Sequence, residues 1–164
     1  MRQLRTRRRL LAEVTAGVVA IAGGQAAAAE ASAAEASENG VKAVIDAFFA
    51  AARRHDWDAT GQLMSENVRI WLDGEESMGR EEYVVVMKED DLEVVDIKLD
   101  DLDIRVSRDS SMAWSRYRAT VEGISKGKRS TVKTAETIVF DRVKQKWLMR
   151  HIHVSLVRRA AAAS

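Results

Sequence analysis

An α+β fold is predicted, with helices ahead of a run of antiparallel strands. Three observations predict it. Apolar residues recur at helical spacing between Val41 and Ala52. From Leu92 onward, apolar and polar residues alternate with the two-residue period of half-buried strands. The joints between those runs, 108–111, 123–128 and 144–145, are short and mostly polar, as hairpin connections are. Helices first and strands afterwards is an order that places the helices on one face of the sheet.

The elements follow in chain order. Ser37 is the N-cap candidate of a first helix that carries Val41, Val44, Ile45, Phe48, Phe49 and Ala52 on one side. "WDATGQLMSEN" reads as a short second helix with Asp56 as its cap. "VRIWLDG" alternates as a strand and stops at Asp73-Gly74. "MGREEYVVVMKED" reads as a third, short helix, although its "YVVVM" run is β-prone. Four strands complete the body: "LEVVDIKLDDLDIRVSRD", "MAWSRYRATVEG", "KRSTVKTAETIVFDRV" and "KWLMRHIHVSLV".

The 164 residues suffice for one domain with a real core. The chain has no cysteine, which excludes disulfides, thiolate metal sites, a cysteine nucleophile and a lipoprotein anchor. Residues 1–29 hold five arginines and one acid, Glu13, leaving 21 basic against 24 acidic residues in the rest. A slightly acidic body argues against nucleic acid as the main partner.

The first 36 residues are laid out as an export signal. A basic head, Arg2 to Arg9, precedes a mildly apolar stretch and an Ala-rich segment with A-x-A cleavage options. "TRRRLL" has the form of a twin-arginine export motif, with Arg7 and Arg8 as the pair. The apolar stretch is short and holds Glu13, so no stable membrane span is expected. A periplasmic or extracellular location follows. The alternative is a cytoplasmic protein with a solvated tail. The expected organisation is a removed or disordered 1–36, a domain over 37–158 and a frayed 159–164.

No P-loop, dinucleotide fingerprint or nucleophile elbow occurs, and nothing in the sequence implies a cofactor. The acids Glu89, Asp90, Asp91, Asp96, Asp100, Asp101 and Asp103 lack the spacing of a calcium loop and read as a solvated sheet edge.

Two stretches, "HDWDATGQLMSENVRIWLDGE" and "AETIVFDRVKQKWLMRHIHVS", carry a family resemblance. The second joins an E-T-x-V-aromatic strand through a tight turn to Trp147, His151, His153 and Ser155. With Gly79-Arg80 and "YRAT", this resembles the SnoaL-like branch of the nuclear transport factor 2-like superfamily over residues 38 to 157. It is also similar to the association domain of calcium/calmodulin-dependent protein kinase II. The resemblance implies a cone: a curved antiparallel sheet wrapped around a long N-terminal helix, with two further short helices and a pocket between helix and sheet. Family members include isomerases, dehydratases and cyclases, and others that only bind, so fold does not settle function.

The same resemblance implies a pocket wall. It matches Trp71, Tyr83, Trp114, Arg116, Arg118, Glu136, Ile138, Arg150 and Ile152 to ligand-binding positions, with Phe140 and Val154 beside them. The position of the isomerases' general base is Trp71, whose indole cannot accept a proton. Glu136 sits where isomerases keep a protonated acid. Near the arginines its pKa is expected to fall, making it an ion-pair partner. A plain cross-strand pair of Glu136 with Arg118 is the alternative reading. Catalytic residues are unassigned, with Glu136 and Tyr83 as candidates. Strand alternation puts Trp147, Met149, His151 and His153 on the opposite, outer side, unless a bulge in the last strand intervenes. No metal site is expected, because His55, the one other histidine, lies far along the chain.

The function expected is binding of a small organic ligand, acidic ones included, in the cone pocket. One alternative is an isomerase-, cyclase- or dehydratase-type enzyme using Glu136 or Tyr83 for acid–base work and Arg118 to stabilise an oxyanion. Another is a structural dimerisation module with a filled pocket. A homodimer through the outer sheet face, including His151 and His153, is the expected protein partner.

Overall fold

The computed structural model describes residues 37–75, 77–90 and 92–157. The expected export signal and the terminal tail lie outside the described residues. The described residues belong to one compact unit that begins at Ser37.

Helix α1 covers residues 37–53. Val41, Ile45, Phe49 and Ala52 are buried at spacings of four, four and three, so one stripe faces the sheet, and Ser37 and Ala51 are buried as well. Gly40 allows a close approach there: a Cβ on it would sit 3.0 Å from Trp147 Cδ1. Helix α2 (Trp57–Gln62) starts at Asp56, whose carboxylate accepts from Ala59 N at 3.1 Å. It ends five residues earlier than the sequence pattern indicates. Strand β1 (Met64–Leu72) takes over, with its buried Met64, Val68 and Ile70 set by contact with the core. Helix α3 (Arg80–Glu89) forms despite its β-prone run and buries only Tyr83 among its residues.

Strands β2 (Leu92–Val106), β3 (Met112–Ser125), β4 (Lys128–Val143) and β5 (Lys146–Leu156) follow. The sheet order is β1-β5-β4-β3-β2. The β2–β3, β3–β4 and β4–β5 ladders are antiparallel hairpins, and β1 joins the edge parallel to β5. Two hairpins close on tight turns with positive φ at Lys126-Gly127 and Lys144-Gln145, the backbone of two-residue hairpin loops. Register shifts occur in the β1–β5, β2–β3 and β4–β5 ladders. Such irregularities bend strands and increase twist, which curves the sheet around α1.

The core lies between α1 and the concave side of the sheet. Ala113, Tyr117 and Ala119 of β3, Ile138 and Phe140 of β4, and Trp147, Met149 and Ile152 of β5 are buried there. Small residues on β3 leave room for the helix, and Phe49 meets Tyr117 edge-on at 5.9 Å. The acidic β2 is a sheet edge. Its charges discourage pairing with another strand. Among the described residues no helix is long and apolar enough to cross a membrane.

Candidate functional site

Two rungs of the sheet build the inner site. Ile70, Ile152, Ile138 and Ser115 are register partners across four strands, and Leu72, Val154, Glu136 and Tyr117 form the next rung. Phe48 and Phe49 from α1 and Tyr83 from α3 cover these rungs. The result is a partly open cavity of about 130 Å³, lined by Phe48, Phe49, Ile70, Leu72, Tyr83, Glu136, Ile138, Ile152 and Val154. At about 30 Å³ per water, that is roughly four waters' worth of space.

Glu136 is the one ionised-type side chain in this lining. Thr134 Oγ1 donates to its Oε1 at 2.6 Å, and Tyr117 Oη donates to its Oε2 at 2.8 Å. Burial raises the Glu136 pKa, and the two donated hydrogen bonds oppose that shift without cancelling it. Burial, then the neighbouring Glu136 charge, push the Tyr83 hydroxyl well above its ordinary value. The same causes, with the hydrogen bond to Glu136, do so for Tyr117. Both phenols stay protonated and can donate.

Of the residues matched to the pocket from sequence, Tyr83, Glu136, Ile138 and Ile152 come together around this cavity. Trp71, Trp114, Arg116 and Arg118 do not share it. On β3, the buried set is Ala113, Ser115, Tyr117 and Ala119, so Trp114, Arg116 and Arg118 project from the other face. Arg118 pairs with Ala135, and Tyr117 is the partner of Glu136. A one-position difference therefore separates Arg118 from Glu136 by the thickness of the sheet. Arg118 Nη2 instead meets Asp101 at 2.8 Å, with both side chains 68% exposed. The expected lowering of the Glu136 pKa by arginines is thus corrected: among the described residues no arginine forms an ion pair with it, Arg116 and Arg118 being held by Asp103 and Asp101, and burial decides the direction. On β1, Val68 and Ile70 face in, and Trp71 is 41% exposed beside Arg69.

Arg150 also leaves the inner wall. A bulge between Val139 and Phe140 pairs Phe140 with Met149 and Val139 with His151, leaving Arg150 between them. Its guanidinium lies 3.4 Å from Asp141 and donates to the Asn67 carbonyl. The bulge returns Trp147 and Met149 to the core, against the alternation expected for them. His151 and His153 stay on the outer face, opposite Val139 and Thr137. Among the described residues no group of three or more histidines, cysteines or carboxylates is placed to hold a metal.

The outer face has its own rung: Trp71, His153, Thr137, Arg116 and Asp103. A hollow of about 590 Å³ there is lined by Asp101, Arg116, Arg118, Ala135, Thr137, His153 and Ser155, and also by Tyr117 and Glu136. It is larger than the inner cavity, but its arginines are already paired: Arg116 with Asp103 at 3.2 Å, Arg118 with Asp101. Tyr117 and Thr134 were missed from sequence. Their signal was the alternation that places Tyr117 with Ala113, Ser115 and Ala119.

A curved sheet backed by helices, with one polar point in an apolar inner cavity, defines a small cone-shaped α+β domain. The SnoaL-like domain family matches residues 41–159, and the chain belongs to that family. No curated protein matches the chain significantly. Solved structures share the fold at low identity. One is a nuclear transport factor 2-like protein of unknown function in nutrient uptake from Rhodospirillum rubrum. Its TM-score is 0.65 at 15% identity, covering 72% of this chain and 98% of that one. A ketosteroid isomerase-like protein from Erwinia carotovora atroseptica gives 0.60 at 14% identity, covering 74% and 97%. A protein assigned as a calcium/calmodulin-dependent kinase II association domain, from Exiguobacterium sibiricum, gives 0.65 at 9% identity, covering 73% and 92%.

Proposed function

We propose that this domain binds a compact, largely apolar small molecule in the inner cavity, anchored at Glu136. One observation carries the reading: a carboxyl group lines a partly open, largely apolar cavity with no cation among its lining residues. A buried carboxyl without a charge partner costs stability, and such costs concentrate at sites that use them. The cavity is smaller than the roughly 300 Å³ typical of drug-sized ligands, so the ligand has few heavy atoms. An acidic ligand is disfavoured, since Arg116 and Arg118 stand on the other face.

The test is a ligand screen by methyl NMR with compact neutral and charged compounds, comparing the wild type with Val154→Phe. The side chain of residue 154 borders the cavity, so a larger ring there fills it. Shifts at the Ile138 and Ile152 methyls, lost in the filled variant, are expected. No binder at all, or equal responses from both proteins, would overturn the reading.

An acid–base enzyme is the second reading, favoured by the raised Glu136 pKa, which brings proton exchange nearer neutral pH. Glu136 or Tyr83 would be the acid–base group. Arg118 is no candidate for oxyanion stabilisation in this cavity, because it is held by Asp101 outside. Burst or steady-state turnover that vanishes in Glu136→Gln would favour it over simple binding.

Dimerisation through the outer sheet face belongs to the same proposal. Trp71, Met112 and Trp114 are large exposed apolar residues on that side, and Trp114, Val139 and His151 form one row across it. Large exposed apolar side chains gathered on one sheet face are a common mark of an interface. Export by the twin-arginine route, with residues 1–36 removed, rests on the sequence pattern. N-terminal sequencing of exported material tests it, and an intact Met1 in the cytoplasm would contradict it.

A further inference from the structure

We propose that the inner cavity selects a compact organic cation, of the methylated or alkyl ammonium class, with Glu136 as its counter-ion. The inference rests on the reading that this cavity binds a ligand, and adds the ligand's charge. Each carboxylate oxygen of Glu136 already accepts one hydrogen bond, from Thr134 and from Tyr117. Two convergent donors suit the ionised, acceptor-only carboxylate rather than the neutral acid. That charge then faces a hollow in which α1 contributes Phe48 and Phe49, β1 Ile70 and Leu72, and β5 Ile152 and Val154. Two phenols stand near that carboxylate, Tyr83 from α3 and Tyr117 from β3, both neutral, and the outer hollow that Glu136 also lines carries Asp101 of β2, Arg116 and Arg118 of β3 and His153 of β5.

A negative charge in an apolar, aromatic-walled hollow is compensated best by a weakly hydrated cation. Phe48 and Phe49 lie 5.5 Å apart edge to face, and with Tyr83 they supply π-electron density to such a cation. An anion would meet Glu136 directly. A strongly hydrated inorganic cation would lose its water without gaining enough oxygen ligands. The volume of about 130 Å³ admits a handful of heavy atoms and no more.

Titration of the full chain with tetramethylammonium chloride, and separately with tert-butanol as a neutral compound of similar shape, tests this. The readout is the shift of the Ile138 and Ile152 methyls. Near neutral pH, tetramethylammonium is expected to bind about tenfold or more tighter than tert-butanol, and to lose that advantage in Glu136→Gln. In the wild type, its affinity should fall on acidification as Glu136 gains a proton, while tert-butanol is unaffected. The acid titration keeps the test decisive where the variant fails to fold. Binding of tert-butanol as tight as that of the cation, or cation binding indifferent to both substitution and pH, would overturn the cation proposal alone. Binding of neither probe would overturn the cavity reading with it.

Discussion

Burial and hydrogen bonding act on the Glu136 carboxyl in opposite directions, and burial is the larger. The linkage follows. A carboxyl whose folded pKa is raised contributes stability that is complete below its unfolded value and is lost as pH rises through the folded one. The stability difference between wild type and Glu136→Gln should therefore move in the variant's favour as pH rises from about 4 towards 8. Urea denaturation at several pH values measures it, and a difference that stays flat would contradict the assignment. Tyr117→Phe removes the 2.8 Å hydrogen bond that lowers the carboxyl's pKa. It should cost about 1 kcal/mol and raise the Glu136 pKa further. By contrast, Arg118→Ala should change stability by under about 1 kcal/mol, because its pair with Asp101 is exposed.

Elements were more legible in the sequence than faces. The helical stripe of α1 and the three hairpin joints follow from local periodicity and turn chemistry, which the described structure keeps. The face of β3 was read from family resemblance, which put Trp114, Arg116 and Arg118 inside. Composition pointed the other way: two arginines would each have to be desolvated, while Ala113, Ser115 and Ala119 give α1 room to pack. The bulge at Arg150 could not be read locally, because it depends on how β5 registers against β4. Close packing in the sheet gives another testable point. A Cβ on Gly123 would lie 2.9 Å from Leu92 Cδ1 and 3.1 Å from the Glu93 carbonyl oxygen. The side chain can move but the backbone oxygen cannot easily, so Gly123→Ala should destabilise by about 1–3 kcal/mol, read from the urea midpoint.

The whole domain presents two surfaces with different chemistry. The inner one is a small apolar cavity with a carboxyl, and the outer one is a sheet face mixing paired charges with exposed tryptophans. If copies associate through the outer face, Trp114→Glu should convert a dimer into a monomer in sedimentation experiments while leaving the inner cavity's binding intact. An unchanged mass would rule that face out as the interface. Glu136 lines both surfaces, yet the nearby arginines are held by Asp101 and Asp103, and the central claim is that its carboxyl has no ion-pair partner among the described residues. The most direct test is the pKa of Glu136 by carboxyl ¹³C NMR in wild type and Arg118→Ala. A value raised above that of an ordinary glutamate, identical in both proteins, is predicted. A lowered value, or one that rises when Arg118 is removed, would place the arginine beside the carboxyl and contradict the account.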